Sequence, residues 1–246
     1  MKRPLSERLL SLLYPHRCFL CHSEAVSSDA WICEICAPTL PITSGKLCRR
    51  CGKALEDCRC EQSVPYYDGA AVPLFYTDAV AKGIFRFKYN GKRYYAHFLA
   101  ELMADSIRES FACVSFSAIT YVPLHPEKRR RRGFCQTQLL AQELSQMLGI
   151  PIESGFLRHT GKGGTQMEQK GLDARRKNAR HSFTIRKDAK LDGKTYLLVD
   201  DVLTTGSTAD RCAFLMHKKG AEAVYLAAAA TTCYHHSYEA RAIAKQ

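Results

Sequence analysis

Apolar residues follow a helical spacing in two segments of the middle of the chain. From Tyr94 to Arg108 they recur every three or four positions, which is the stripe of an amphipathic helix. The same spacing predicts a second helix from about Cys135 to Leu148, ended by Gly149. Residues 64–90 mix short β-prone runs with glycine and proline. The middle of the chain is therefore predicted to contain two helices behind a region of short strands.

Short continuous apolar runs predict buried strands between the helices. Residues 117–122 form one such run, which stops at a proline-bounded loop over residues 123–126. Residues 196–199 form a second run, followed by a predicted helix over about 208–219, and a last strand is predicted near 224–229. Strands that alternate with helices are typical of an α/β domain. We therefore predict a twisted, mostly parallel sheet with helices on both faces, starting near residue 66.

Eight of the 12 cysteines lie between residues 18 and 60, in four short pairs. Each pair can place two thiolates on one turn, and two such turns supply the tetrahedral sulfur shell that zinc prefers. The connecting segments are rich in turn formers and poor in apolar runs, so metal binding would have to drive their folding. We predict a structural module with one or two zinc ions, whose ligands are Cys18, Cys21, Cys33, Cys36, Cys48, Cys51, Cys58 and Cys60.

Other interpretations of these cysteines fit the pattern less well. A redox Cys-x-x-Cys pair is expected once, at a junction of strand and helix, rather than in four successive pairs. Disulfides require an oxidising compartment, and the first residues lack the apolar core and cleavage site of a secretory signal. A catalytic zinc would keep an open position and usually recruit a histidine or a carboxylate. The spacing does not determine which two cysteine pairs share one zinc, because sequential and interleaved arrangements both supply four thiolates.

Composition and charge exclude several classes of protein. With 46% hydrophobic and 24% charged residues, the chain resembles an ordinary globular protein. No apolar stretch reaches the ~18–20 residues that span a bilayer, so we expect no membrane insertion and a cytoplasmic location. The formal net charge is +12, but residues 1–64 carry only nine basic against seven acidic side chains. Because four thiolates around one zinc add negative charge, the positive field belongs to the rest of the chain.

That positive charge is concentrated in two segments. Lys128 to Arg132 are five consecutive cations directly after the proline-bounded loop. Such a run is often only a solvated face, but the carboxyl end of a parallel strand is where open α/β folds bind ligands. Residues 158–194 carry 11 basic and four acidic side chains among several glycines. The second segment is therefore predicted to be a cationic lid over a ligand site.

The most informative segment joins the strand at 196–199 to the helix at 208–219. Between them lies a loop of small and hydroxyl-bearing residues, Thr204, Thr205, Gly206, Ser207 and Thr208. Such a loop can close around an anion at a helix start, where free N–H groups and the helix dipole favour a phosphate. The preceding Asp200 and Asp201 suit hydrogen bonds from a sugar diol, or a share in binding Mg²⁺.

Two acids and a Thr-Gly-Ser loop after a hydrophobic strand resemble the 5-phosphoribosyl 1-pyrophosphate (PRPP) motif of type I phosphoribosyltransferases. With the amino-terminal cysteine pairs, and with Val-Pro-Leu followed by an arginine run and Arg132-Gly133-Phe134-x-Gln136, the chain resembles the ComF family of competence-associated proteins almost end to end. Cys135 stands where many relatives have asparagine. The resemblance implies an α/β, type I phosphoribosyltransferase fold over residues 65–246, after a double zinc-ribbon-like module over residues 1–64.

The resemblance also implies roles for individual residues. Asp200 and Asp201 would hold the ribose 2- and 3-hydroxyls, and residues 204–208 would hold the 5-phosphate. Pyrophosphate would bind at the loop formed by Pro123, Leu124 and His125. Arg175, in the lid, would neutralise the pyrophosphate and act as a catalytic residue with the two acids. Further lid residues that resemble the family pattern are Gln166 or Gln169, Asn178 and Phe183.

Three functional interpretations follow from the resemblance and the charge. In the first, the protein binds PRPP or ribose 5-phosphate with Mg²⁺ and serves DNA uptake and natural transformation, with single-stranded DNA and a competence helicase or other DNA-processing protein as partners. In the second, it is a phosphoribosyltransferase that acts on an unidentified nitrogen acceptor and has no DNA role. In the third, PRPP regulates DNA or partner binding without turnover. Aromatic residues suited to base stacking near cations are Tyr66, Tyr67, Phe85, Phe87, Tyr89, Tyr94 and Tyr95.

Overall fold

A parallel sheet forms the centre of the computed structural model, which describes residues 17–23, 30–161 and 182–233. The sheet has five strands in the order β1-β7-β6-β3, with β2 also paired to β7, and every pairing is parallel. β4 and β5 pair separately as an antiparallel ribbon. The strands are β1 (Gly69–Ala71), β2 (Leu74–Phe75), β3 (Ala118–Tyr121), β4 (Leu157–His159), β5 (Phe183–Ile185), β6 (Thr195–Leu203) and β7 (Ala223–Thr231). The predicted α/β class is confirmed.

The helices connect these strands and cover the sheet. They are α1 (Asp78–Tyr89), α2 (Tyr95–Ser110), α3 (Pro126–Arg132), α4 (Gln136–Leu148) and α5 (Ser207–His217). The predicted helices after Tyr94, after Cys135 and near Thr208 are confirmed as α2, α4 and α5. Helix α1 was not predicted, although it has a local start signal, since the Thr77 side chain accepts a hydrogen bond from the Val80 amide. Among the helices of the described residues, none combines the length and apolar character needed to cross a bilayer.

The alternation of side chains along β6 and β7 divides the core in two. Leu197 and Val199 face one side, where α1, α2 and α4 supply most of the buried apolar side chains. Leu198 faces the other side, where it packs with α5, the β4-β5 ribbon and Tyr67. This period of two is what a central strand shows when both faces of the sheet are covered.

Strand β6 is longer than predicted. It continues beyond Val199, because its parallel pairing with β7 extends to the pair Leu203 and Thr231. Asp200 and Asp201 therefore belong to the strand, and only the residues after Leu203 form the connection to α5. This placement fixes the two acids at the carboxyl edge of the sheet by ladder hydrogen bonds.

Candidate functional site

A cleft of about 380 Å³ opens at the carboxyl edge of the parallel sheet. It lies where α/β sheets commonly bind ligands, beyond the ends of β3 and β6. Its walls come from the loop after β3, α3, the start of α4, the β4-β5 ribbon and the β6-α5 connection. The polar and charged lining residues are Lys88, His125, Lys128, Arg132, Gln136, Thr137, His159, Ser182, Asp200, Asp201, Thr204, Thr205, Ser207 and Thr208.

The two acids are held in unlike environments. Asp201 Oδ2 accepts hydrogen bonds from Lys88 Nζ and from Gln136 Nε2, both at 2.8 Å. Asp200 Oδ1 accepts from the Asp201 backbone amide at 2.8 Å. Only 13% of the Asp201 side chain and 18% of the Lys88 side chain are exposed. The pair is thus a mostly buried, asymmetric arrangement of two carboxyl groups with one ammonium partner.

This asymmetry drives the two pKa values apart. Burial, and then repulsion from Asp201, raise the pKa of Asp200 to about 7. Burial also opposes ionisation of Asp201, but Lys88, Gln136 and Arg132 together hold its pKa below the ordinary value. The floor of the cleft therefore carries one carboxylate that its neighbours keep ionised, beside a second carboxyl group whose ionisation burial and charge repulsion oppose.

Gln136 reaches the acid pair from the first turn of α4 and is only 4% exposed. Its Nε2 donates to Asp201, while its Oε1 is buried and has no hydrogen-bond partner in the protein. A buried amide oxygen without a partner costs free energy, so such an atom beside a cleft indicates a donor supplied by a ligand or by water. The structure thus adds an acceptor next to the acid pair.

The β6-α5 connection has the geometry of an anion-binding loop. Gly206 adopts a left-handed conformation, with φ +79°, at the N-cap of α5. The Thr205 hydroxyl lies 2.8 Å from the Ser207 hydroxyl and accepts a hydrogen bond from the Ser207 amide. Of the five predicted loop residues, Thr204, Thr205, Ser207 and Thr208 line the cleft, while Gly206 forms the turn behind them.

The loop after β3 forms the opposite wall. Pro123, Leu124 and His125 all line the cleft. His125 Nδ1 accepts from the Glu127 amide and so caps α3, which assigns the ring proton to Nε2, 3.2 Å from the Gly161 carbonyl oxygen. The Gly161 amide donates to His159 Nδ1 at 3.1 Å. The two histidines thus join the loop after β3 to the end of the β4-β5 ribbon.

His159 is a cleft residue that the sequence analysis missed. Its burial, with His125 and Lys128 nearby, lowers the pKa of His159 to about 4. The imidazole is therefore neutral at pH 7, with Nδ1 as an acceptor from Gly161 and Nε2 as a donor. No sequence signal marked this histidine, because it lies outside every motif and reaches the cleft only through the pairing of β4 with β5.

The predicted cationic run forms helix α3, and its cations divide into two sets. Lys128 and Arg132 line the cleft, whereas the intervening three arginines are exposed. The Arg132 guanidinium lies 4.5 Å from the centre of the Tyr89 ring and donates to the Tyr89 hydroxyl at 2.6 Å. Its Nε and Nη1 are buried without a partner in the protein. The run is therefore more than a solvated face, because one of its members is fixed beside the acid pair.

Several predicted site residues lie outside the described residues. Arg175, Gln166, Gln169 and Asn178 all fall in the segment 162–181, so the proposed lid is untested. Phe183 is described, and it lines the cleft from β5. Lys88 was missed by the sequence analysis, since it is an unremarked lysine in the last turn of a helix that was not predicted.

The eight amino-terminal cysteines form two tetrads. One contains the first four cysteines of the module and the other contains the last four, and within each tetrad the Sγ atoms lie within 4.8 Å of one another. The pairing is therefore sequential rather than interleaved. Measured separations are 3.8 Å for Cys21 and Cys33, and 3.7 Å for Cys51 and Cys58. Tetrahedral Zn–S bonds of ~2.3 Å place sulfur atoms about 3.8 Å apart, so both tetrads fit zinc and neither forms disulfides.

Each tetrad holds together one ribbon, and the two ribbons pack against different parts of the α/β domain. Phe19, in the first ribbon, is fully buried and lies against Gly83 of α1. In the second ribbon, Lys53 Nζ donates to the Leu203 carbonyl at 3.4 Å, at the end of β6. Among the described residues, the module contributes none to the lining of the cleft. It supports the cleft from behind.

Comparisons with known proteins separate the cysteine-rich segment from the α/β domain in the same way. Residues 9–65 match the family described as Double zinc ribbon domain, and residues 131–245 match the family described as Phosphoribosyl transferase domain. The chain is 29% identical over 221 residues to the DNA utilization protein YhgH of Salmonella typhi, which covers 87% of this chain and 96% of that protein. It is also 29% identical over 219 residues to Competence protein F of Haemophilus influenzae, covering 85% of this chain and 93% of the relative.

Among solved structures, the allosteric regulatory enzyme of purine biosynthesis aligns with 20% identity and a TM-score of 0.38, over 59% of this chain and 30% of that one. The ribbon and phosphoribosyl transferase matches occur in the order predicted, and the full-length relatives align across both. The chain therefore carries a double zinc ribbon followed by a domain with the type I phosphoribosyltransferase fold, which is the architecture that its resemblance to the ComF family implies.

Proposed function

We propose that the cleft binds a 5-phosphorylated ribose, either PRPP or ribose 5-phosphate. The observation that carries this proposal is the juxtaposition of the Asp200-Asp201 pair with the loop 204–208 at one edge of the sheet. Carboxylates accept hydrogen bonds from sugar hydroxyls, whereas N–H groups at the start of α5 favour a phosphate. A ligand that carries both groups on one small ring satisfies both sets of protein atoms.

The remaining cleft residues support one orientation of such a ligand. With the 5-phosphate at the start of α5 and the ribose diol at the acid pair, the unpartnered Gln136 Oε1 can accept from a ribose hydroxyl. The C1 substituent would then point toward His125, Lys128 and Arg132. The Lys128 and Arg132 cations and the Nε2–H group of His125 suit the pyrophosphate of PRPP. Magnesium would add charge neutralisation at the pyrophosphate, and Asp200 offers it a carboxylate whose Oδ1 accepts only the Asp201 amide among the hydrogen bonds described for it.

Calorimetric titration of the zinc-loaded protein with ribose 5-phosphate and MgCl₂ tests this proposal. We expect binding of ribose 5-phosphate, none of ribose, and binding of 2-deoxyribose 5-phosphate weakened by about 5- to 150-fold, because a lost hydroxyl leaves buried acceptors unpaired at ~1–3 kcal/mol. Asp200→Asn combined with Asp201→Asn should abolish binding. Asp188→Asn is the matched control, because that carboxylate is exposed and lies outside the cleft. Equal affinity for ribose and ribose 5-phosphate would refute the proposal.

We further propose that the protein serves DNA uptake or DNA use, as the names of the relatives state for those proteins. The cleft itself is a poor site for a DNA backbone, since the acid pair would repel a phosphodiester. The outer side of α3 is better suited. Tyr89 is 42% exposed beside Arg131 and Arg132, and Phe85, 55% exposed, lies 4.9 Å from it. Exposed aromatic rings next to arginines are typical of surfaces that stack single-stranded bases.

Of the aromatic residues predicted for base stacking, the structure buries Tyr67, Phe87 and Tyr95 in the core. Fluorescence anisotropy with an oligo-dT strand tests the surface that remains. We expect Tyr89→Ala to weaken binding, and Arg130→Ala to reduce the slope of log K against log salt by about one. Tyr76→Ala is the control, being another partly exposed tyrosine outside this surface. If Tyr89→Ala and Tyr76→Ala bind DNA as the wild type does, this surface does not bind bases.

A phosphoribosyltransferase activity is the second candidate, favoured by the cations at the pyrophosphate end of the cleft. A nitrogen acceptor would attack the ribose C1, the bond from C1 to the pyrophosphate oxygen would break with its electron pair leaving on pyrophosphate, and the acceptor would lose a proton to solvent or to a base. Pyrophosphate release from PRPP, measured with a panel of nucleobases and amines, tests it. Release that depends on one acceptor and is lost in Asp200→Asn would support turnover, whereas tight PRPP binding without release indicates a binding protein.

We also propose that each tetrad holds one structural zinc, which gives two per chain. Eight thiols that are all unpaired fit a reducing compartment such as the cytoplasm.

A further inference from the structure

The second zinc ribbon lies directly behind the loop 204–208. Lys53 Nζ donates to the Leu203 carbonyl at 3.4 Å and to the Thr232 hydroxyl at 3.3 Å. Thr232 in turn donates to the Thr204 carbonyl at 3.2 Å. The backbone on which the loop begins is therefore fixed through a side chain that lies two residues after a zinc-ligating cysteine.

Two glycines show how closely the ribbon and the loop approach each other. A Cβ atom added to Gly52 would lie 2.7 Å from Ala70 Cβ and 2.8 Å from Leu203 Cδ2. A Cβ atom added to Gly206 would lie 3.2 Å from the Tyr67 hydroxyl. Neither site has room for a side chain without displacement of its neighbours, so ribbon and loop are packed together rather than merely adjacent.

Tyr67 connects the two. Its ring is 2% exposed, and its hydroxyl donates to the Cys51 carbonyl at 2.9 Å. The same hydroxyl lies behind Gly206, the residue whose left-handed conformation shapes the loop. A movement of the Cys51 knuckle would therefore move Tyr67 or leave its buried hydroxyl unpaired.

We propose that the second cysteine tetrad is part of the phosphate site, and that Tyr67 and Lys53 are positioning residues that transmit its order to the loop 204–208. Zinc at this tetrad fixes the Cys51 knuckle, and the knuckle fixes the loop in the conformation that binds phosphate. This coupling is reciprocal. If zinc in the tetrad raises the affinity of the loop for its ligand by some factor, the bound ligand raises the affinity of the tetrad for zinc by the same factor. The part of this inference that concerns the ligand rests on the proposed function.

The first ribbon provides a matched control within the same chain. Tyr95 is also fully buried, and its hydroxyl also donates to a cysteine carbonyl, that of Cys18 at 3.3 Å. The first ribbon, however, packs on α1, where Arg86 donates to the Phe19 carbonyl at 2.7 Å. The contacts described for it do not include the loop 204–208. Loss of zinc from the first tetrad should therefore leave that loop unchanged.

Hydrogen exchange of the backbone amides of residues 203–208 is the first test, and it needs no ligand. We expect Cys58→Ser to accelerate exchange in this segment at least tenfold, while Cys21→Ser changes it by less than twofold. Tyr67→Phe keeps all eight thiols and should accelerate exchange at least threefold, with Tyr95→Phe as its control. If Cys58→Ser does not fold, the comparison of Tyr67→Phe with Tyr95→Phe tests the inference by itself. Equal effects of the two tyrosine variants, or no effect of Tyr67→Phe, would overturn the inference.

Zinc release to a chromogenic chelator, with and without ribose 5-phosphate, is the second test. In the wild type, saturating ribose 5-phosphate should slow the release of one zinc of two, and Tyr67→Phe should remove this protection. A merely structural role of Tyr67 would accelerate release without changing the effect of ligand, and that result would overturn the inference. If ribose 5-phosphate does not bind the wild type at all, the proposed function fails, and the exchange experiment still decides whether ribbon and loop are coupled.

Discussion

The ionised Asp200 carboxylate should destabilise the folded protein, although the proposed ligand site needs it. Its pKa, raised to about 7 by burial and by Asp201, lies well above the ~3.9 of an unfolded aspartate. Folding therefore favours the protonated acid. The contribution of this group to stability is fully present below about pH 4 and is lost as the pH rises through about 7. Under the proposed function, this carboxyl group is retained despite its cost because it accepts hydrogen bonds from the ligand or coordinates the ligand's metal ion.

Asp200→Asn should therefore stabilise the protein at pH 8 while it weakens ribose 5-phosphate binding. We expect an increase of about 1–3 kcal/mol in the free energy of unfolding at pH 8 and little change at pH 4, since the substitution removes only a charge that burial penalises. Urea denaturation at both pH values measures the difference, and calorimetry measures the affinity. Equal stability of the variant and the wild type at pH 8 would show that the Asp200 carboxylate is not destabilising.

Asp201→Asn should have the opposite sign, although it is the same substitution one residue later. It leaves the mostly buried Lys88 ammonium without its 2.8 Å partner. We expect a loss of about 1–2 kcal/mol at pH 8, less than the ~3–5 kcal/mol of a fully buried broken pair because both side chains keep some exposure. The same urea experiment compares the two variants directly. Equal signs would contradict the assignment of the Lys88 hydrogen bond to Asp201 rather than to Asp200.

The acid pair could be predicted from the sequence, but its environment could not. Two adjacent aspartates before a Thr-Gly-Ser loop are visible as a local pattern. Lys88 lies more than a hundred residues earlier and reaches Asp201 only because α1 packs on the same face of the sheet as α4. Gln136 was visible as part of a motif, but its role was not, because a buried acceptor without a partner is a property of packing.

At the scale of elements, the left-handed conformation of Gly206 at the start of α5 shapes the loop that is proposed to bind the phosphate. Gly206→Ala should cost about 1–2 kcal/mol of stability, the penalty for a side chain in that conformation, and should also weaken ribose 5-phosphate binding at least tenfold. Gly149→Ala is the matched control, since Gly149 has φ +69° at the end of α4 and nothing within 4 Å of its added Cβ. Both variants should lose stability in thermal denaturation, Gly206→Ala more than Gly149→Ala because its Cβ would also lie 3.2 Å from the Tyr67 hydroxyl, and only Gly206→Ala should lose affinity.

The elements that sequence patterns predicted are those with strong local signals. Helices α2, α4 and α5 carry apolar stripes, and the ends of α4 and of the predicted α5 region are marked by glycine. Helix α3 was not predicted as a helix, because five consecutive cations give no apolar face and the helix depends on His125 as its cap. The β4-β5 ribbon was missed for another reason. Its two strands are short, are separated in sequence by residues 160–182, and lie almost entirely within the segment 158–194 that was predicted to be a lid.

At the scale of the whole molecule, the two tetrads should bind zinc independently. We expect two zinc ions per chain by mass spectrometry under native conditions, and one in either Cys21→Ser or Cys58→Ser, because each variant breaks a different tetrad. A content of one zinc in the wild type would contradict two sites. Loss of both ions from a single cysteine variant would contradict the sequential pairing of the cysteines.

The cleft and the proposed DNA surface share one cationic helix. Lys128 and Arg132 of α3 face the cleft, while Arg129, Arg130 and Arg131 face outward within the same two turns. A polyphosphate in the cleft would lie beside the same two-turn helix that carries the outward arginines, and charges closer than the Debye length of ~8 Å at physiological salt are incompletely screened. Ligand in one place must therefore reduce the attraction for a phosphate backbone in the other.

This sharing of charge predicts negative coupling between the two ligands. Saturating PRPP with Mg²⁺ should weaken oligo-dT binding by about three- to tenfold at 50 mM salt, because a coupling of ~1 kcal/mol is typical of linked sites, and the effect should fall as salt rises. Ribose, which carries no phosphate, is the control and should have no effect. Anisotropy titrations at 50 and 300 mM salt provide the comparison. Tighter DNA binding with PRPP would instead indicate that the ligand orders a DNA-binding segment, and DNA affinity that is independent of PRPP would place the nucleic acid away from α3.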